Sequence, residues 1–352
     1  MKYALALVAL VAFVSFADSG SGDAVSINGY AKAWFYMNGE ENADPENTFR
    51  AYNWTALKGR LSESTYACLG VSYNSWDADG DLTICDAFLN MKMMPELSIT
   101  AGQFKIPLGW AYNCSGGNLF FLDRAGVAST PEYGYYSGRD IGLNLHGQFD
   151  MVGVDLGYFN GTGIHTEAND LVTKEIAANL TVDATDWLRI AAGVGLIGQP
   201  DIEDSTGTVV IQDEWSATGI NAYALADYPM SESAELIFEG EFWQFGYAGP
   251  EVTGAELNSG MDYYGMLGVN FMLEDAILHS IMPAVRYETY SPQEMVVTGA
   301  DRAEDNVTMI DFCVNCFVTP ANTVQIGGRN VSYEADGMEG YTDMYVGWRL
   351  NY

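Results

Sequence analysis

The stretch Met344-Tyr-Val-Gly-Trp-Arg-Leu-Asn-Tyr352 decides how this chain is read. Met344, Val346, Trp348, Leu350 and Tyr352 are apolar or aromatic and share one parity, whereas Asp343, Tyr345, Gly347, Arg349 and Asn351 share the other. Successive side chains of a strand point to opposite faces, so the pattern predicts a β-strand with one oily and one polar side. In water such an oily side would be buried against a second sheet. In lipid it would meet acyl chains, and a closed barrel would satisfy every backbone hydrogen bond.

Working backwards from this segment, the chain breaks into alternating stretches of about ten residues, the period expected of a membrane barrel. Sixteen are read: 25–37, 48–60, 65–75, 82–92, 97–106, 138–149, 152–160, 174–183, 187–197, 214–226, 233–246, 261–273, 278–290, 306–318, 323–334 and 341–352. Parity is clean in several. Ile176, Ala178, Leu180 and Val182 oppose Glu175, Asn179 and Asp183, and Ile310, Phe312, Val314 and Cys316 oppose Asp311 and Asn315. Connections alternate between short (61–64, 93–96, 150–151, 184–186) and long (38–47, 76–81, 107–137, 161–173), the asymmetry of short periplasmic turns and long outside loops. The fold expected is all-β: a 16-stranded antiparallel transmembrane β-barrel with a long, inward-folded third loop. A strand such as 344–352 resembles the one that closes bacterial outer-membrane barrels.

The other end agrees. Lys2, the apolar run Tyr3–Phe16 and the small residues Ser15 and Ala17 form the pattern of a secretory signal peptide, too short for a spanning helix of about 20 residues. The division expected is therefore a signal peptide at 1–17 and an outer-membrane barrel at 18–352, placed in a Gram-negative outer membrane.

Charge excludes some partners. The chain has 47 Asp and Glu against 15 Lys and Arg, and loss of Lys2 with the signal peptide leaves 47 − 14, a net charge of −33. Nucleic acid and anionic lipid surfaces are poor partners for such a chain. Aromatic content of 13% and 38 glycines are wrong for acidic disorder, so acidic loops on an ordered β scaffold are expected. The five cysteines, Cys68, Cys85, Cys114, Cys313 and Cys316, form no disulfide framework, although Cys68 and Cys85 lie on adjacent predicted strands and could pair.

Motifs for catalysis, cofactors and metals fail on context. Gly193-Val-Gly195-Leu-Ile-Gly198 has dinucleotide-loop spacing, but Gln199-Pro200-Asp201 follows instead of a helix. Cys313 and Cys316 on a strand fall on opposite faces. Asp77, Asp79 and Asp81 resemble a weak calcium loop, yet Gly80 is misplaced and Phe88 stands where a bidentate acid is needed. His146, His165 and His279 show no ligand spacing. The reading is of a non-enzyme without a cofactor.

The connection 107–137 carries the most information. It holds Trp110, Tyr112, Phe120, Phe121, Tyr133 and Tyr135, and such a loop must pack on something. In a barrel the available surface is the lumen wall. Lys105, Arg124 and Arg139 bracket and occupy it, and these bases either form an anion-attracting ring or pair with carboxylates such as Asp123 and Asp140.

Three segments, Gly102-Gln-Phe-Lys105-Ile-Pro107, Phe120-Phe-Leu-Asp-Arg124 and Gly138-Arg139-Asp-Ile-Gly142, resemble the signature region of the phosphate-selective porin O/P family, and Tyr158-Phe-Asn-Gly161 and Phe317-Val-Thr-Pro320-Ala-Asn322 are also similar. The resemblance implies a sixteen-stranded, trimeric outer-membrane channel with an inward third loop, and it carries over Lys105, Arg124 and Arg139. The chain departs from phosphate-selective members, which resemble one another in a lumen ladder of arginines and a lysine cluster. Its lumen parity offers Glu235, Glu239, Glu241, Glu288, Asp155, Asp262 and Asp311 against Arg286, Arg329 and Arg349. Lys105 shares its parity with Ile99 and Ala101, so either a bulge near Gly102 resets the strand or Lys105 faces away from the lumen.

The function expected is passive diffusion of small hydrophilic solutes or ions, weakly cation-selective or non-selective, with a local basic spot. The solute-contacting residues expected are Lys105, Arg124, Arg139, Glu239, Glu241, Asp311, Arg286 and Arg329. Outer-membrane lipid, lipopolysaccharide and two further copies of the chain are the expected partners. The rival is a structural or adhesive barrel whose lumen is plugged by residues 107–137.

Overall fold

A computed structural model of the protein describes residues 25–40, 47–75, 82–129, 138–161, 163, 174–199, 202–203, 209–211, 215–248, 255–257, 260–273, 277–290, 296–298, 306–334 and 338–352. Residues 1–17, expected as a signal peptide, and Asp77, Asp79, Asp81, His165, Tyr133 and Tyr135 lie outside the described residues.

Sixteen strands form one closed antiparallel barrel. They are β1 (Val25–Met37), β2 (Asn47–Arg60), β3 (Thr65–Asn74), β4 (Leu82–Met94), β5 (Leu97–Lys105), β6 (Arg139–Phe149), β7 (Val152–Phe159), β8 (Glu175–Thr185), β9 (Leu188–Gln199), β10 (Trp215–Ser231), β11 (Ala234–Ala248), β12 (Gly260–Met272), β13 (Ser280–Tyr290), β14 (Val307–Thr319), β15 (Asn322–Tyr333) and β16 (Tyr341–Asn351). Each strand pairs with its sequence neighbour, and β1 pairs with β16 from Tyr30↔Asn351 to Met37↔Met344. Closure removes the unpaired edges that an open sheet would expose.

The parity read from β16 holds. Val346 and Trp348 point outward and are 46% and 55% exposed, while Asp343 and Arg349 point inward and are 3% exposed each. Ile176, Leu180, Ile310 and Phe312 are likewise exposed on the outside, and Glu175, Asn179, Asp311 and Asn315 are buried inside. The two-residue turn Asp150-Met151 between β6 and β7 places Asp150 at φ 53°, a left-handed position that Asp tolerates better than most residues.

The largest boundary shift from the sequence expectation is at the end of β10. β10 runs to Ser231, through Pro229, where a turn was expected from 227. Its pairing with β9 ends at Ala226↔Leu188, so Pro229 lies beyond the region where β9 would need its missing N–H. Two short ribbons also stand outside the barrel: Ile202–Glu203 pairs with Val209–Ile211, and Ala255–Leu257 pairs with Val296–Thr298, which joins two connections expected as loops.

The main apolar cluster lies within the inward face. Ile106, Leu108, Ala111, Ala125 and Val127 from the β5–β6 connection pack on Phe159, Ala177, Ile197, Trp243 and other inward strand residues. A second cluster seats Phe121 and Leu122 against Trp34, Ile237, Met266, Met282 and Tyr345. Each such aliphatic or aromatic side chain, fully buried, contributes roughly 1.5–3 kcal/mol.

Candidate functional site

Residues 106–129 leave β5 and run against inward-facing side chains from most of the barrel wall. Ile106 N donates to Gly138 O, Asn113 Nδ2 donates to the carbonyls of Ile106, Leu108 and Gly109, and a 3₁₀ turn spans Gly126–Ser129. Other backbone groups of the segment are met by strand side chains. Glu241 accepts from Trp110 N (3.0 Å) and Ala111 N (2.6 Å), and also from Asn221 Nδ2 and Trp243 Nε1. Glu288 accepts from Gly126 N. Lys32 Nζ donates to Leu122 O, Asn315 Nδ2 to Phe120 O, and Gln325 Nε2 and Arg349 Nη1 to Leu119 O. Inward carboxylates thus meet the segment's N–H groups, and inward cations and amides meet its carbonyls.

The three bases taken from sequence come together around one ring. Lys105 Nζ lies 5.2 Å, the Arg124 guanidinium 5.3 Å and the Arg139 guanidinium 5.8 Å from the centroid of Tyr112. Each has its own anchor. Lys105 Nζ donates to the carbonyls of Tyr112 (2.7 Å), Asn113 (3.2 Å) and Cys114 (3.4 Å). Arg124 Nη1 donates to the carbonyls of Ala111 and Cys114. Arg139 is paired through Nε and Nη2 with Asp86, not with Asp140, whose carboxylate accepts from Ile141 N and Gly161 N. The parity conflict at Lys105 resolves in favour of the lumen. Gly102 takes a φ of 127°, and Phe104 and Lys105, neighbours that strict alternation would separate, line the same cavity.

The other predicted charges occupy two further places. Arg286, Asp311, Arg329 and Glu288 form one buried network on β13, β14 and β15. Asp311 pairs with Arg286 and, at 2.6 Å, with Arg329 Nε, while Arg286 Nη2 lies 3.4 Å from Glu288 Oε1 and also donates to Arg124 O. Glu239 stands apart, on the lining of a second cavity.

Two cavities flank the segment. The larger, about 740 Å³, is lined by Lys32, Lys58, Lys105, Arg124, Arg139 and Arg329 with only Asp86 and Asp123 as carboxylates. It therefore gathers six of the chain's 15 Lys and Arg residues. The smaller, about 510 Å³, has Asp183, Asp186, Asp227 and Glu239 against Arg189 and Arg349. Tyr112, Ser115, Gly116 and Leu119 face the first, and Trp110, Cys114, Asn118 and Phe120 face the second, so residues 110–120 form the wall between them. Burial of Cys114 in this wall pushes its thiol up to about 11, with the Glu239 carboxylate adding to the shift.

Sequence reasoning missed Lys32, Lys58 and Asp86. Lys32 sits between Tyr30 and Trp34 on the inward parity of β1, so the alternation carried its signal. Asp86 could be joined to Arg139 only once the strand register was known. The five cysteines are free, so Cys68 and Cys85 do not pair, and Cys85 Sγ lies 3.0 Å from Ser72 Oγ instead. Gly193, from the glycine motif, is an inward strand position covered by Leu108. Among the described residues no group of three or more His, Cys, Asp and Glu could hold a metal ion.

No family model matches the chain, and no curated protein matches it. Solved structures do. Pseudomonas putida OprB is similar at 10% identity and a TM-score of 0.63, covering 94% of each chain. The trimer form of OmpT, an outer membrane protein of Vibrio cholerae, is similar at 13% identity and a TM-score of 0.57, covering 93% of this chain and 99% of its own. A mutant Rh. blastica porin is similar at 14% identity and a TM-score of 0.52, covering 93% and 100%. Across nearly its whole length, the chain shares the barrel fold of these proteins.

Proposed function

We propose that the protein is an outer-membrane channel of porin type, exported by the segment 1–17, through which small hydrophilic solutes or ions diffuse passively. The observation that carries this reading is a closed barrel with an apolar outer face and a polar inner face, in which two cavities flank residues 110–120. An apolar exterior suits hydrocarbon chains, and a charged interior suits water. The barrel's likeness to the Rh. blastica porin adds support, and the trimer form of V. cholerae OmpT supports assembly as a homotrimer. Outer-membrane lipid and lipopolysaccharide are then its surroundings.

A finer reading concerns selectivity. The net charge of −32 attracts cations to the mouth, giving weak cation preference or none, while Lys105, Arg124 and Arg139 form a local site for anions at the constriction. Convergence of these three bases on Tyr112 also supports the resemblance to the phosphate-selective porin O/P family. Glu239 and Arg329 complete the solute-facing set from the cavity linings, whereas Glu241 and Arg286 act by holding the segment in place and Asp311 by fixing Arg286.

The deciding experiment is conductance of the purified protein in a planar bilayer under a salt gradient. Steady single-channel steps with a small cation-sided reversal potential are expected, and strong anion selectivity refutes the cation preference. One observation favours a rival reading: the many hydrogen bonds tying residues 106–129 to the wall suit a plugged structural barrel. Silence in the bilayer, with the barrel folded, establishes that rival.

A further inference from the structure

The larger cavity combines two kinds of recognition in one chamber. The first is a set of bases. Lys32, Lys105 and Arg124 are each oriented by main-chain carbonyls rather than by a carboxylate. Arg139 and Arg329, in contrast, are offset by Asp86 and Asp311. The second is a wall of stacked aromatic rings that line the cavity. Tyr30 stacks on Tyr52 with centroids 5.6 Å apart and planes at 22°, and on Trp54 at 6.1 Å and 27°. Trp54 is held in that attitude by its Nε1 donating to Asp86 at 3.3 Å. Lys32 Nζ lies 5.9 Å from the Tyr30 centroid, so a cation stands at the end of the ring wall.

A small inorganic anion uses the cations and nothing of the rings. A neutral ring uses the wall and nothing of the charge. A solute that uses both is planar, carries a ring and bears an acid group. We propose that the larger cavity selects aromatic carboxylates, with the ring against Tyr30, Tyr52 and Trp54 and the carboxylate turned to Lys32 and Arg124. The volume of about 740 Å³ lies within the range of pockets that enclose small organic molecules. Offset stacking is worth enough to separate such solutes from saturated acids of equal charge. The inference rests on the channel reading for transport, while binding itself can be measured without a current.

The test uses the full-length chain in detergent micelles for calorimetry and in planar bilayers for block of chloride current. The probes are benzoate, cyclohexanecarboxylate, acetate, inorganic phosphate and benzyl alcohol. Benzoate is expected to half-saturate at a concentration about fivefold below cyclohexanecarboxylate, with acetate, phosphate and benzyl alcohol weaker still. Trp54→Leu removes the difference between the two ring acids, and Lys32→Met weakens both equally. The comparison of probes on the unaltered protein decides the matter if either variant fails to assemble. Equal half-saturation by benzoate and cyclohexanecarboxylate overturns the proposal, as does tighter binding of phosphate or no binding of any probe. A benzoate preference in calorimetry together with a silent bilayer upholds the binding site and removes the channel reading instead.

Discussion

Leu108 lies directly over the bare Cα of Gly193, where a Cβ would come within 2.6 Å of Leu108 Cδ2 and 2.9 Å of Ala178 O. Leu108 is fully buried, so the contact seats the start of the inner segment on β9. Gly193→Val must lift Leu108 or bend the strand, at a cost of about 1–3 kcal/mol from overpacking. A lower denaturant midpoint is expected, together with noisy or multilevel single-channel current. An unchanged, quiet conductance would mean that this contact does not hold the segment.

Glu241 receives four hydrogen bonds, two of them from the backbone of Trp110 and Ala111. Glu241→Gln removes the charge and points an amide donor at other donors. A loss of about 2–3 kcal/mol in local stability is expected, because hydrogen bonds to charged groups are among the stronger ones. Hydrogen exchange at the Trp110 and Ala111 amides should rise by about 30- to 100-fold, while amides in the middle of β2 stay as they were.

The two ion-pair settings should respond very differently. Asp311 is 2% exposed and joins Arg286 to Arg329, so Asp311→Asn leaves two guanidinium groups sharing Glu288 as their carboxylate. Breaking such a buried pair costs about 3–5 kcal/mol. Asp183 pairs with Arg189 at 2.6 Å with both side chains well exposed, and Asp183→Asn should cost less than about 1 kcal/mol. Urea unfolding of the two variants in the same detergent measures the contrast.

Cys114 offers a pH test. Its raised thiol stays protonated, and therefore unreactive, well above neutral pH. In a chain with the other four cysteines replaced by alanine, maleimide labelling at pH 7.5 should be about 300-fold slower than for an ordinary thiol. The rate should climb about tenfold per pH unit until it levels near 11. A rate that levels near pH 8.5 would place Cys114 in open water.

The barrel was legible because its two environments differ so strongly. Each oily row points outward and each polar row inward, and a slip of one residue would exchange them. β1 therefore spans the residues that alternation assigned to it, and Asp150-Met151 is the turn expected. The interior was only half legible. Alternation could place Glu241 and Arg286 on the inner face, but their partners include main-chain groups of residues 110–124, whose path no local pattern encodes. Conversely, the resemblance drew Lys105, Arg124 and Arg139 together, while the pairing of Arg139 with Asp86 depended on β4 carrying that carboxylate to the same height. Pro229 misled for a related reason: proline marks a turn in sequence, yet it is harmless in a strand that has outrun its neighbour.

The wall formed by residues 110–120 separates a chamber rich in fixed cations from one rich in fixed carboxylates. If ions cross both in series, the molecule is a junction between oppositely doped compartments. One polarity of voltage fills the junction with mobile carriers and the other depletes it, so the protein would act as a rectifier whose preferred direction is set by how the barrel inserts.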